Sequence, residues 1–132
     1  MGRYYTGDID GKFWFAVQSS DDADNFGVYG EEDTDDEGNG SGYLNYHFDE
    51  DNLPDIQAGI DACLEFLGEN KEKFDTFFNK HDSYNDQMIV DELGIPKEEV
   101  RELLENYARL GLGREILECV KANGACAFQA EL

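Results

Sequence analysis

Positive charge is scarce in this chain of 132 residues: ten Lys and Arg face 31 Asp and Glu, which leaves a formal net charge of −21. Phosphate backbones and anionic lipid headgroups repel a surface of that sign, so direct binding to nucleic acid or to a membrane is not expected. No stretch approaches the ~18 consecutive apolar residues of a membrane helix. Met1-Gly2-Arg3-Tyr4-Tyr5 enters strand-like sequence instead of the apolar centre of a leader, and a cytoplasmic location is expected. Cysteine is also sparse. Cys63, Cys119 and Cys126 are odd in number and widely spaced, which suits neither a disulfide framework nor a CxxC knuckle and predicts buried thiols in a reducing compartment. There are two histidines, one inside a strand-like run (His47) and one at a helix end (His81), and both read as structural. GxSxG, P-loop, GxGxxG and HExxH patterns are all missing, so no catalytic residue, no metal and no cofactor is predicted, and the chain is read as not an enzyme.

What is present is enough apolar material for a core. Forty per cent of the residues are hydrophobic and 13% aromatic, sufficient at this length for one domain. Arg3 to Ile9 and Lys12 to Gln18 are aromatic-rich runs on either side of Asp10-Gly11, a dipeptide suited to a two-residue hairpin turn. The unbroken apolar run Phe13-Trp14-Phe15-Ala16-Val17 predicts a strand covered on both faces, with Trp14 near the core centre. Ser19 to Asp24 suits a short capped helical turn, and Glu31 to Gly42 reads as a mobile loop rich in Gly and acid. Tyr43 to Phe48 predicts a third strand.

From Leu53 the apolar period becomes helical. Ile56, Ile60, Cys63, Leu64 and Leu67 form one stripe behind Pro54 and Asn52. Asn70 is expected to cap a helix carrying Phe74, Phe77 and Phe78, and Ser83 with Asp86 suggests a capping box before Met88, Ile89 and Leu93. Pro96 opens a helix striped with Val100, Leu103, Leu104, Tyr107 and Leu110, which Gly111 is expected to end; Arg114 to Ala122 forms another. Cys126, Phe128, Ala130 and Leu132 alternate as a strand does. The predicted fold class is α+β, a single domain over 1–132. Its small, mainly antiparallel sheet (N-terminal hairpin, a middle strand, a C-terminal strand) packs on a four- to five-helix block, with 1–52 β-rich and holding the acidic loop, 53–123 helical and 124–132 the terminal strand.

Two motifs invite functional readings that their charges oppose. Ile89 to Glu105 looks like a helix-turn-helix, but its second helix offers Glu98, Glu99, Glu102 and Glu105 where a DNA reader needs cations and amides, so packing is the better reading. Asp33, Asp35, Glu37, Asn39 and Ser41, with Gly38, follow EF-hand spacing, yet Leu44 stands where the bidentate Glu belongs, and a solvated acidic loop with at most loose divalent-ion association is expected.

The charge itself is then the strongest functional signal, and it is uneven. Residues 21–56 hold thirteen acids and no Lys or Arg, whereas 57–132 hold sixteen acids and eight bases. Asp61, Glu65, Glu69, Glu72, Glu98, Glu102 and Glu105 have spacings that align carboxylates along helix faces. Asp21, Asp22, Asp24, Glu31, Glu32, Asp33, Asp35, Asp36 and Glu37 form a second group. In composition the chain resembles the small acidic nucleic-acid mimics of phages and viruses, the anti-restriction and anti-CRISPR inhibitors, which share no common fold. Gly2-Arg3-Tyr4-Tyr5-Thr6-Gly7-Asp8-Ile9-Asp10-Gly11-Lys12-Phe13-Trp14-Phe15 is similar to the opening of short viral and phage proteins without assigned activity. These resemblances imply an inhibitor in the host cytoplasm. It would dock on a basic protein surface, that of a DNA- or RNA-binding protein of a defence system, through Asp21, Asp22, Asp24, Glu31, Glu32, Asp33, Asp35, Asp36, Glu37, Glu98, Glu102 and Glu105. The alternatives are an acidic interaction or assembly module without mimicry and a weak divalent-cation binder.

Overall fold

The computed structural model describes residues 4–12, 18–34, 37–38, 40–81 and 83–131, with the side chains of Lys12, Asp33 and Ser41 outside that description. Among these residues five strands form one antiparallel sheet: β1 (Tyr4–Gly7), β2 (Gly11–Lys12), β3 (Glu31–Thr34), β4 (Gly40–Asp49) and β5 (Ala125–Glu131), in the order β2-β1-β5-β4-β3. The fold is α+β, as the pattern of strands around a helical block predicts. Alternation decides which face is buried. Cys126, Phe128 and Ala130 of β5 point inward opposite Phe48, Tyr46 and Leu44 of β4, and Tyr5 of β1 faces Ala130. The rings of Tyr46 and Phe128 stack with centroids 5.2 Å apart, and Tyr5 meets Phe128 edge-on at 5.7 Å. The opposite face carries Thr6, Ala127, Gln129, Asn45 and His47, and among the described residues no helix covers it; Gln129 Nε2 donates to Asn45 Oδ1 at 2.9 Å.

Among the described residues four α-helices lie on the inner side: α1 (Leu53–Leu67), α2 (Asn70–Lys80), α3 (Asp86–Leu93) and α4 (Lys97–Asn123). None is long and apolar enough to cross a membrane among the described residues. Helix α1 buries Ile56, Ile60, Cys63 and Leu67, the stripe read from its sequence, against Val100, Leu104, Ile116 and Val120 of α4 in one hydrophobic core. The two helices close around Phe26, which sits in a short 3-10 turn (Asp22–Phe26) and is fully buried. A Cβ on Gly59 would lie 2.6 Å from Phe26 Cδ1, and one on Gly113 would lie 2.5 Å from its Cε1, so only glycine lets both helices approach this ring.

That packing corrects the expected helix end at Gly111. Helix α4 runs on to Asn123, because Leu112, Ile116, Cys119 and Val120 are buried and their burial outweighs the ~1 kcal/mol each interior glycine costs. The expected mobile loop at 31–42 is also corrected: Glu31–Thr34 and Gly40–Asp49 form an antiparallel hairpin, with a register shift between Glu32 and Thr34. Acidic β3 has weak strand propensity, and its pairing with β4 sets its conformation. The Asp10-Gly11 turn is wider than expected. Tyr5 pairs with Gly11 and Tyr4 with Lys12, so the chain turns over Thr6 to Asp10, where Gly7 has φ 136° and its N–H donates to Asp10 Oδ1. The wider turn lets Ile9 enter the core and lets Asp8 bridge to Ala127 through N–H to O and Oδ2 to N–H bonds, both 2.9 Å. Asn85 caps α3, its Oδ1 accepting from Met88 N–H at 2.9 Å, in place of Ser83, and Asn70 is the first residue of α2, whose N-terminal flank is Glu69. Trp14 and the rest of the apolar run 13–17 lie outside the described residues; of the expected strand from Lys12 to Gln18, Lys12 ends β2 and Gln18 is in no strand.

Candidate acidic interaction surface

Helix α4 starts after the turn Gly94-Ile95-Pro96, which follows the left-handed Gly94 at the end of α3. Ile95 is buried beneath that turn, and Val100, Leu103 and Leu104 point into the core. A helix with that inward face must turn positions 98, 99, 101, 102 and 105 outward. Glu98, Glu99 and Glu102 are exposed, and none has an ion-pair partner among the described residues. Glu105 is half-buried and paired: Arg101 Nε lies 3.2 Å from its Oε1. The exposed carboxylates on the first two turns of this helix are therefore Glu98, Glu99 and Glu102, while Glu105 of the predicted row is half-buried against Arg101.

The remaining ion pairs use cations elsewhere. Lys71 Nζ lies 2.6 Å from Asp75 Oδ2, and the Tyr107 hydroxyl donates to Asp75 Oδ1 at 2.6 Å, tying α2 to α4. Partial burial opposes ionisation of Asp75, but the Lys71 ammonium and the Tyr107 hydroxyl overcome it and hold the carboxyl below the usual range. The Tyr107 phenol is pushed up by burial and by the same carboxylate. Lys80 and His81 both reach Glu92, His81 Nε2 at 3.0 Å, while the His81 ring rests on Phe77. His47 is exposed on the face of the sheet opposite the core.

The second acidic group divides when it folds. Asp22 is only 3% exposed: its carboxylate accepts from Arg109 Nε at 2.8 Å and from Gln18 Nε2 at 3.0 Å. Asp24 is half-buried and accepts from the Tyr46 hydroxyl at 2.7 Å and from Gly30 N–H at 2.9 Å. Both were expected as outward contacts, and both point inward because each completes a polar pair beside the core. The Tyr46 phenol is raised by burial and then by Asp24, so it stays a donor at any physiological pH. Asp21 is exposed and accepts from the Ser19 hydroxyl at 2.6 Å. Glu31 and Glu32 are exposed on edge strand β3, and Glu32 folds back so that its Oε2 accepts from Gly42 N–H. Glu37 is exposed; Asp35, Asp36 and the Asp33 side chain lie outside the described residues. Acid on an edge strand also has a structural use, since like charges keep two such edges from pairing.

Among the described residues, clefts lie on both sides of α4. One, of about 410 Å³, lies between the α1–α2 junction and the α3–α4 turn and is lined by Phe66, Asn70, Lys73, Gly94, Ile95, Pro96, Glu99, Glu102 and Leu103. The other, of about 340 Å³, is lined by Asp8, Ile9, Asp10, Glu115, Glu118, Cys119 and Asn123 near the far end of the helix. In the second, burial and then Glu118 push the Glu115 carboxyl upward. Beside it burial and then Cys119 push the Cys126 thiol up, and all three cysteines are buried and free. Among the described residues no three His, Cys, Asp or Glu side chains converge as metal ligands.

Comparison with protein-family models, curated proteins and solved structures finds no match to this chain. The arrangement itself is what bears on function. Sequence spacing pointed to Glu98 and Glu102; it did not single out Glu99 as a contact or the cleft at its side. That cleft depends on α1 and α4 meeting across more than thirty residues of chain, and the one local signal for it is Phe66, an aromatic outside the α1 stripe and 47% exposed.

Proposed function

We propose that this chain is a non-catalytic binding protein that docks on a basic protein surface through the carboxylates of α4 and the β3–β4 hairpin, and so keeps that surface from its nucleic acid. The observation that carries the reading is the placement of Glu98, Glu99 and Glu102. They stand exposed on a packed helix while Arg101, Arg109, Lys71 and Lys80 are engaged with other acids. A packed helix has its backbone already ordered, so docking carboxylates mounted on it costs only their side-chain freedom. A polyanion of this size offers a cationic groove a field comparable to that of a nucleic-acid segment. The target is read as a DNA- or RNA-binding protein of a host defence system, in keeping with the viral and phage resemblances.

The test is capture of partners from native lysate by the wild-type chain and by Glu98→Lys/Glu99→Lys/Glu102→Lys, at low and at physiological salt. Binding should fall with salt, the triple reversal should lose the partner, and duplex DNA or RNA should compete for it. Retention at both salts, or full binding by the reversed chain, refutes acidic docking. A partner that nucleic acid does not displace leaves the docking and removes the mimicry.

A further inference from the structure

We propose that the cleft lined by Phe66, Ile95, Leu103, Glu99 and Glu102 is a receptor for an arginine side chain of the basic partner. This rests on the acidic-docking reading and gives it an anchor point. Three features of the cleft match a guanidinium and its stem, and no one of them is an excess of acid.

The first is Phe66. It is a large aromatic left 47% exposed on a helix whose other large apolar residues are buried or half-buried, and it lines the cleft. A guanidinium is planar and weakly hydrated, and it gains from lying on an aromatic face; an ammonium is compact and more strongly hydrated. The second is the apolar lining of Ile95, Pro96 and Leu103, with Ile95 and Leu103 4% and 7% exposed. Such a lining suits the three-carbon arginine stem, which buries along apolar surface while its head stays near water. The third is the pair Glu99 and Glu102, separated by one helical turn and free of ion pairs among the described residues. A forked donor can bridge carboxylates in that spacing.

The size agrees, since about 410 Å³ falls within the ~300–1,000 Å³ range of small-ligand sites and suits one long side chain with part of its backbone. Other occupants fit less well. An apolar side chain would strip water from two unpaired carboxylates, and a phosphate would meet them head-on. Lys73 also lines the cleft and is exposed. Its ammonium opposes the incoming guanidinium in part, so replacing Lys73 by an acid should strengthen binding.

The experiment uses the full chain with methyl labels on Ile95 and Leu103, titrated with hexa-arginine and, separately, hexa-lysine peptide. Saturable shifts at both methyls with hexa-arginine are expected, with hexa-lysine weaker by about tenfold. Phe66→Ala and Glu99→Gln/Glu102→Gln should each weaken hexa-arginine binding about tenfold, and Lys73→Glu should tighten it. Glu115→Gln/Glu118→Gln, in the other cleft, should change it less than twofold. Phe66 is at the surface, so its truncation leaves the core intact, and a thermal melt of each variant verifies this. Equal affinity for the two peptides, or unchanged binding by Phe66→Ala, overturns the arginine cleft; if binding still falls with salt, acidic docking survives that failure. Binding that ignores salt in the wild-type chain removes the docking reading as well.

Discussion

The two acid-rich regions, residues 21–37 and the first turns of α4, read alike as strings of carboxylates and differ in what the fold does with them. In the first, Asp22 and Asp24 turn inward to hold Arg109, Gln18, Tyr46 and Gly30, and Glu32 folds onto β4. In the second, Glu98, Glu99 and Glu102 face outward without an ion-pair partner among the described residues, next to a cleft that Lys73 also lines. Carboxylate density therefore does not measure binding surface. An acid within reach of a buried donor is drawn into the structure, because leaving that donor unpaired costs more than burying a paired acid.

The contrast can be broken from the inward side with the largest effect. Asp22→Ala leaves the Arg109 guanidinium, 27% exposed, without its partner and should cost about 3 kcal/mol in denaturant unfolding. Arg109→Met added to it should recover part of that loss. Tyr46→Phe removes one donor to Asp24 and should cost about 1 kcal/mol, since Gly30 N–H still satisfies that carboxylate. Asp75→Asn tests a carboxyl whose folded pKa is depressed. Its stabilisation is present above the ordinary Asp value of about 3.9 and is lost as pH falls through the lower folded value. The melting difference between wild type and Asp75→Asn should be constant from neutral pH down to about pH 5 and vanish in strong acid. On the outward side Glu98→Gln should shift stability by less than about 0.5 kcal/mol in either direction. A large loss there would make α4's acids structural and collapse the distinction.

Local periodicity made much of the fold legible. The α1 stripe and the alternation of Cys126, Phe128 and Ala130 follow from side-chain spacing, and the structure has both. The misread elements are those that distant partners decide. Strand β3 exists because β4 lies beside it, and Gly113 continues a helix because Phe26, 87 residues earlier, needs its space. The candidate surface divides the same way. Outward positions on α4 could be read from its apolar stripe, but nothing near Asp22 announces Arg109. Tyr46, an inward position in an alternating strand, does signal that a buried hydroxyl needs an acceptor without naming Asp24.

The place of β5 at the centre of the sheet governs how the chain can be made. Its neighbours β1 and β4 leave the ribosome long before it does, and 75 residues separate the end of β4 from the start of β5. Until residues 125–131 emerge, the β1–β2 and β3–β4 hairpins have no common partner and the aromatic faces of Tyr5 and Tyr46 have no Phe128 to close on. Completion of the sheet must therefore follow translation of residues 125–131, and it carries the entropy of joining distant segments. During that interval the mutual repulsion of strongly anionic nascent chains keeps their open strands from pairing with one another, a service the same charge performs before any partner is met.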